Sequence, residues 1–540
     1  MAIDPRQPRR AEKRWGPAAV AVLLAVGATG LLALTCIRTT GGALVYALDD
    51  AYIHLAMGRT LAESGIWGLN AATPGAASSS PLWTLLLAGM TAVFGAQTWF
   101  ALALNALAAA LLALVADLWL RQLSFRPAWR LSAVVAVLVV GPVGPLAMTG
   151  MEHVAHAGAV VLLVALALRR SPAGPIALAL AAALATGFRY ESAFVAAALA
   201  VMMAMRRDWG RAVGLFIGPT FVVGVVGVVQ TAIGQGFLPN SLIVKAASFT
   251  STGLGEWLRG KAFGAIEHAF EAPVVALPLL AIAIAWAAAS RVPPDEDPPM
   301  TVRVALQSAA ALSLAMLLQL TLARTGWYHR YEAYLLIWGT LSVFASARAW
   351  QAVGGRRLAR GEWRNVAIVG AGAAGLLLVL ALGLRIQAWQ TAPEACLDIA
   401  TQHGQMARFV ERYYQGEPLV LNDVGYVSYV SDGAILDLGG LGSHAVAKVR
   451  SEGRYSAEWV ARAAEVHGAR IAINYDISVI PDRWDKVASW NTGAVRVAGS
   501  DTVNFYALDA SAREELRANL RAFEGTLPQR VSVEYYAPEP

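Results

Sequence analysis

Residues 47–59 read ALDDAYIHLAMGR, and they place two adjacent carboxylates, Asp49 and Asp50, twelve residues beyond the end of an apolar run at 17–37. The surrounding chain is poor in charge. Of its 540 residues, 57% are hydrophobic and 15% charged, against roughly 25% charged in an ordinary soluble domain. This is the composition of an integral membrane protein. Further apolar stretches at 81–96, 98–120, 131–149, 154–168, 174–187, 191–205, 212–231, 273–290, 303–322, 332–347 and 366–384 mostly approach the roughly 17–25 residues that a bilayer-crossing helix needs. From about residue 388 onward the pattern becomes that of a soluble domain.

The first apolar run follows the basic stretch RQPRRAEKRW at 6–15. It is too long for a signal-peptide core and no clear cleavage site follows, so it reads as a signal anchor with a cytoplasmic start. Lys and Arg near helix ends resist translocation, which assigns Arg121/Arg126/Arg130, Arg169/Arg170, Arg206/Arg207/Arg211, Arg291/Arg303 and Arg348/Arg356/Arg357/Arg360/Arg364 to the cytoplasm. Twelve full crossings would push the 121–130 cluster outside, so one stretch does not cross. The short segment 81–96, PLWTLLLAGMTAVFGA, is the weaker candidate and reads as re-entrant or interfacial. Eleven crossings then put every basic loop inside and the tail outside. The same arrangement places ALDDAYIH, TGMEHVAH (149–156), GFRYES (187–192), GFLPNSLIVKAAS (236–248) and RTGWYHRYEAY (324–334) on the outer face. Ionisable residues at such positions are costly and tend to be functional, so their convergence predicts one polar site.

Around the carboxylates, DAYIHLAMGRTLAES has an apolar side at Ile53, Ala56, Met57 and Leu61 and a closing Gly65, which predicts a short helix lying along the membrane surface. Asp50 could cap that helix. Capping explains one Asp and not two. An amide-held carboxylate is the weaker base, and its like-charged neighbour is pushed towards proton uptake; the pair can divide orientation and proton acceptance between them. His54, one turn on, joins the candidate substrate contacts.

Glu152, His153 and His156 in TGMEHVAH match no standard zinc spacing. They read as a polar helix start, with Glu152 and His153 as candidate substrate contacts. Arg189, Lys245 and Arg330 supply positive charge on the face of Asp49 and Asp50, with Arg324 and His329 beside them. Each alone could be snorkelling to head groups; together they can hold a lipid phosphate. Tyr190, Glu191, Asn240, His329 and Asp423 complete the candidate substrate-binding set.

The GAGAAG at 370–375 fits a dinucleotide fingerprint, yet it lies inside VAIVGAGAAGLLLVLALGL and reads as a membrane helix with a small-residue packing face. Cys36 and Cys396 give no disulfide framework. The net charge of +6 is mostly cytoplasmic arginine and asks for no nucleic-acid partner. In the tail, 406–414 places Met406, Phe409, Val410 and Tyr413 on one helical side, 418–440 reads as strand, turn, strand, and ARIAINYDI, AVRVAGS and VNFYALD add strands. A small α/β domain follows from these elements, and Asp423 and Tyr426 lie where they could touch substrate or simply belong to the hairpin.

Taken in order, DDAYIHLAMGRTLAESG, SSSPLWTLLLA, TGMEHVAHA, GFRYES, LPNSLIVKA, WYHRYEAYLLI and NDVGYVSYVSDGAILDLGGL resemble bacterial membrane glycosyltransferases of the GT-C class. The closest similarity is to the branch containing the cell-wall terminal arabinofuranosyltransferases. The resemblance implies a polytopic helical membrane domain over 1–387, with its first outer loop at about 38–80, and an extracytoplasmic α/β domain over 388–540. It implies Asp49 and Asp50 as catalytic residues, the first favoured as base, and a polyprenyl-phosphate sugar as donor to a glycan or lipid acceptor. Relatives often carry Arg-Pro-Glu where this chain has Arg189-Tyr190-Glu191. No nucleotide site is implied; a divalent cation stays open. Segments 81–96 and 248–270 would border the lipid chain and gate access. A transporter would gather ionisable groups near the bilayer midplane, and an assembly protein would leave the converging clusters unexplained. A protein O-mannosyltransferase-like enzyme or a ligase for finished glycans is the nearer alternative.

Overall fold

The computed structural model describes residues 16–537 except 76, 170, 241, 242, 244–274, 324, 355–362, 476–478, 494 and 495, with the backbone alone for 363–381. The basic stretch 6–15, Lys245, Arg324, Arg170, the segment 248–270 and the arginines at 356–360 lie outside the described residues.

Helices dominate up to residue 401: α1 (Gly16–Thr39), α2 (Asp50–Ser64), α3 (Pro81–Phe94), α4 (Phe100–Gln122), α5 (Pro127–Val140), α6 (Val143–Met148), α7 (His153–Ala167), α8 (Pro175–Phe188), α9 (Ser192–Met205), α10 (Trp209–Ala232), α11 (Ala276–Ala289), α12 (Met300–Leu322), α13 (Ala333–Ala352) and α14 (Trp363–Thr401). Among the described residues four of them, α1, α4, α10 and α12, are long and apolar enough to cross a membrane by length and composition. α3 has 14 residues, about 21 Å of helix against a hydrocarbon core of about 30 Å. α5, α8, α9 and α11 have the same length, so length does not single out α3. The 370–375 glycine run lies within α14.

Helix α2 has the predicted limits: Gly65 adopts φ 73°, and its N–H reaches the Leu61 carbonyl at 3.1 Å. Its environment differs from a helix floating on a surface. Ala51 to Gly58 are all buried, because α2 lies between α3 on one side and the tail on the other. Ile53 and Met57 join the tail's apolar core together with Leu69.

After α14 come α15 (His403–Tyr413), β3 (Leu419–Leu421), α16 (Gly425–Val430), β4 (Ile435–Asp437), α17 (His444–Ser451), α18 (Ala457–His467), β5 (Ile471–Asn474), β6 (Asp485–Asn491), β7 (Thr502–Ala507), α19 (Ala510–Glu524) and β8 (Ser532–Tyr535); a small hairpin, β1 (Gly68–Asn70) with β2 (Thr73–Pro74), precedes α3. The six-stranded sheet runs β4-β3-β5-β7-β6-β8, parallel across β4-β3-β5 and antiparallel beyond. The amphipathic reading of 406–414 corresponds to α15, which buries Met406, Phe409 and Val410 under the sheet. Two readings need correction. Residues 418–440 form a strand, a helix and a parallel strand, because GYVSYV coils into α16 and carries the chain over as a crossover. The described part of AVRVAGS, 496–500, is irregular, and the strand next to β7 is the unforeseen β6. The boundary at 388 falls inside the unbroken α14.

The first loop is tied to the sheet by polar contacts as well. The Asn70 side chain donates to the carbonyls of Ser431 (3.3 Å) and Gly433 (2.7 Å), and the Thr73 hydroxyl accepts from Ile435 N–H at 2.8 Å. Helix bundle and sheet therefore meet around the stretch that begins at Asp49.

Candidate active site

The two carboxylates face different partners. Asp49 precedes α2, and its side chain makes no bond to that helix. Its two oxygens instead accept from the backbone N–H groups of Gly425 (2.7 Å) and Tyr426 (2.8 Å) at the start of α16. Gly425 is required there by close approach, since a Cβ would lie 2.6 Å from Asp49 Oδ2. Stacking of Tyr52 on Tyr426, with ring centroids 3.9 Å apart, holds α2 and α16 in register. Asp50 turns the other way and takes the guanidinium of Arg330. Arg330 follows three non-glycine residues in left-handed backbone, Trp327, Tyr328 and His329, with φ of 43°, 57° and 59°. Such conformations are costly; the turn brings Arg330 back over the bundle, where Met151 Sδ (3.0 Å) and Tyr331 OH (3.1 Å) complete its contacts.

Burial pushes the Asp49 carboxyl up, to about 6, and the neighbouring Asp423 adds to the rise; His403 and the two amides pull against it. Burial also acts on Asp50, but Arg330 outweighs it and holds that carboxyl below its ordinary value. The two carboxylates differ, though not as capping logic implied: the amide-held Asp49 is the one whose pKa is raised, because desolvation exceeds what two amides return. Each Asp49 oxygen retains a further acceptor position.

The tail supplies the opposite wall. His403 Nε2 lies 3.1 Å from Asp423 Oδ2 and 3.0 Å from the Tyr475 hydroxyl, which also donates to Gln402 Oε1 at 2.8 Å. Burial lowers the His403 pKa, but Asp49 and Asp423 reverse the balance and raise it. Asp49, Asp50, Trp327, His403, Asn422, Asp423 and Tyr475 border a cleft of about 150 Å³. One ligand atom each from Asp49, His403 and Asp423 lies within 4.8 Å of the others, a spacing that can hold a divalent cation. Against that use, His403 Nδ1 has no hydrogen-bond partner among the described residues, whereas a metal-ligating histidine generally anchors its second nitrogen.

Behind Asp50 lies a second, dry cluster. Arg189 is 2% exposed at its side chain and bridges Glu152 (2.7 Å) and Glu191 (2.9 Å). It is therefore an internal counter-ion rather than a snorkelling residue. His54 Nε2 stands 3.5 Å from Glu152, with His54 Nδ1 3.1 Å from the Ser78 hydroxyl. Among the described residues, His153 is fully buried with neither ring nitrogen bonded, and Tyr190 is buried with its hydroxyl unpartnered. Tyr331 lies under both cations, 5.6 Å from Arg189 and 4.9 Å from Arg330. Asn240 stands apart: its amide donates to the Leu441 carbonyl at 3.1 Å and its oxygen meets His444 Nδ1 at 2.9 Å, latching the loop after β4. His329 is half-buried in the left-handed turn.

Sequence reasoning missed His403, Tyr475 and the amides of Gly425 and Tyr426. Only the glycine after Asn422-Asp423-Val424 hinted at close backbone approach. Nothing in the spacing joins His403 to Asp49.

Residues 395–506 match a family described as a domain of unknown function (DUF8728); that span contains His403, Asp423, Gly425 and Tyr475. No curated protein matches the chain by sequence. Among solved structures, ArnT from Cupriavidus metallidurans in its apo state is similar with a TM-score of 0.53 at 14% identity, over 92% of this chain and 99% of ArnT. ArnT bound to undecaprenyl phosphate gives 0.48 at 13% identity over the same shares. The apo likeness shows that the chain shares the fold of ArnT.

Proposed function

We propose that this protein is a membrane glycosyltransferase that moves a sugar from a polyprenyl-phosphate donor to a hydroxyl of a cell-envelope glycan or lipid, at the outer face of the cytoplasmic membrane. The N-terminus is cytoplasmic, about eleven helices cross, and the sheet-bearing tail stands outside over the cleft. One observation carries the reading: a carboxylate with its pKa lifted to about 6 and a carboxylate paired to a buried arginine border the same cleft. The ArnT-like fold and the order of sequence motifs support it.

In the reaction the acceptor oxygen attacks the anomeric carbon from the face opposite the donor phosphate. A new glycosidic C–O bond forms, the bond from the anomeric carbon to the phosphate oxygen breaks with its electron pair, and configuration inverts. Asp49 takes the acceptor's proton. Polyprenyl phosphate leaves as an anion, and the Arg330 guanidinium, shared until then with Asp50, meets its charge. A lipid phosphate is already a good leaving group, so positioning, one base and one cation suffice. His403 and Asp423 border the acceptor side of the cleft, and Lys245 is a further candidate for the phosphate.

The test uses purified protein in detergent with a panel of polyprenyl-phosphate sugars, following release of polyprenyl phosphate by wild type, Asp49→Asn and Asp50→Asn. Release that collapses in Asp49→Asn with folding intact supports the transferase and its base. Absence of turnover and of binding for every donor, or equal turnover in all three proteins, overturns it and favours a transporter or assembly role.

A further inference from the structure

A second polar cavity lies far from the acidic cleft. α4 starts beside Tyr46, whose hydroxyl donates to the Thr98 carbonyl (2.6 Å) and accepts from Leu102 N–H (2.9 Å). α13 starts just after Arg330 and Glu332. Their 23 and 20 residues carry the chain about 34 and 30 Å away. At that far end Ser124, Phe125, Arg126, Trp129, Arg348 and Gln351 line a cavity of about 370 Å³.

The cavity is built by the way α4 ends. Ser124 adopts φ 58°, its N–H returns to the Arg121 carbonyl (2.9 Å), and Phe125 N–H returns to that of Leu120 (3.2 Å). This reversal sets Arg126 at the entry of α5, facing Arg348 on α13. The helices α4, α5 and α13 contain one carboxylate, Asp117, and it is already paired with Arg130 at 3.0 Å. Arg126 and Arg348 make no hydrogen bond or ion pair with any described residue. Phe125 is buried at the cavity wall, and Trp129 at its mouth is 51% exposed. Two guanidiniums unpaired among the described residues, one before α5 and one on α13, with a hydroxyl, an amide and an amphipathic indole in one recess, differ from independent snorkelling: they match a phosphate with an apolar body beside it.

We infer that this recess binds the head-group phosphate of an anionic phospholipid in the leaflet opposite the acidic cleft. Basic pockets between membrane helices take such head groups, and the mouth of the recess lies where helix ends meet the lipid surface. A soluble phosphate shares the charge but leaves the apolar wall uncovered. The bound lipid would tie the ends of α4, α5 and α13 together, remote from chemistry.

The test is native mass spectrometry of the full-length protein in a neutral detergent, titrated with phosphatidylglycerol, cardiolipin or phosphatidylcholine. It compares wild type, Arg126→Gln/Arg348→Gln and the charge-matched control Arg169→Gln/Arg207→Gln, each checked for an unchanged melting profile in lipid-free detergent. The expected result is retention of anionic lipid over phosphatidylcholine by wild type and control, and a loss of about tenfold or more in affinity for the Arg126/Arg348 variant. Equal retention by all three overturns the site. Equal weakening in the control reduces it to diffuse charge and also overturns it. Displacement by millimolar inorganic phosphate with no dependence on the lipid tail reassigns the recess to a soluble anion and overturns the lipid assignment.

Discussion

Asp49 and Asp50 are consecutive residues in two different electrostatic environments. The Asp49 side faces a cleft walled by the tail, where another carboxylate, a histidine and backbone amides leave a proton-accepting site that is partly open. The Asp50 side backs onto the bundle: Arg330 holds Asp50 at the cleft, and behind them Arg189, Glu152, Glu191 and His54 nearly neutralise one another out of water. On the proposed reading, the difference separates two jobs that a single acidic pair could otherwise confuse. An unpaired carboxylate with a raised pKa moves protons; a dry ion network fixes geometry and costs dearly when one partner is lost.

The sharpest way to break the comparison is to neutralise each acid in turn. Asp49→Asn is expected to lower kcat for donor turnover by about 10² to 10⁴-fold, the range for losing a general base, with the melting temperature little changed. Asp50→Asn should lose less, and mainly through KM for the donor, because Arg330 stays beside the phosphate without its carboxylate. Steady-state kinetics on the two variants decide: a larger kcat loss in Asp50→Asn reverses the assignment.

The bundle side is tested by stability. Arg189→Met leaves Glu152 and Glu191 facing each other without their shared cation, and removal of one partner from a buried ion pair costs roughly 3–5 kcal/mol. A thermal or denaturant unfolding series in detergent should show that loss, while Arg330→Gln, whose partner Asp50 is 31% exposed, should unfold nearly as wild type yet turn over poorly. Equal destabilisation by both would merge the two regions into one network.

How much of this was legible follows from where each signal resides. The helix 50–64 and its stop at Gly65 are local, written in apolar spacing and a glycine, and the structure has them. The clustering of Arg189, Glu152 and Asp50 with Arg330 came from topology, since loops on one face of a bundle meet. Their pairing did not, because periodicity says nothing about which carboxylate an arginine chooses. His403, Tyr475 and the Gly425 amides were invisible for the same reason: they come from the starts of α15 and α16 and the end of β5, which the non-sequential pairing of β3 with β5 brings together, and no local pattern encodes that. The error at 418–440 is instructive. GYVSYV alternates like a strand, but its residues join parallel strands β3 and β4, and a parallel link needs a crossover rather than a tight turn.

Gly425 offers a smaller perturbation on the Asp49 side. Gly425→Ala drives a methyl into the Asp49 backbone carbonyl oxygen and to 2.6 Å from its Oδ2, so the backbone at Asp49 or Gly425 must shift and the amide contacts are distorted or lost. Displacements of that order can cost about 10²-fold in rate, and Gly425→Ala should lower kcat by about that factor with some loss of stability at the contact between bundle and tail, while leaving the Arg189 cluster intact. Equal turnover by this variant would show that the amide contacts do not position the base.

The least perturbing test reads the pH profile. With Asp49 at about 6 in the fold, against 3.8 for an ordinary aspartate, the base is ionised above that value and protonated below it. kcat/KM should therefore be level at neutral pH and fall on the acid side with an apparent pKa near 6, since the free enzyme's ionisation governs that limb. His403 pulls the Asp49 pKa down by its positive charge, so His403→Gln should move the limb to higher pH, with little effect on the plateau. The matching profile of Asp50→Asn should keep the acid limb, because the group that titrates is not Asp50. A limb that disappears in Asp50→Asn, or one that moves to lower pH in His403→Gln, would place the working proton on the bundle side after all.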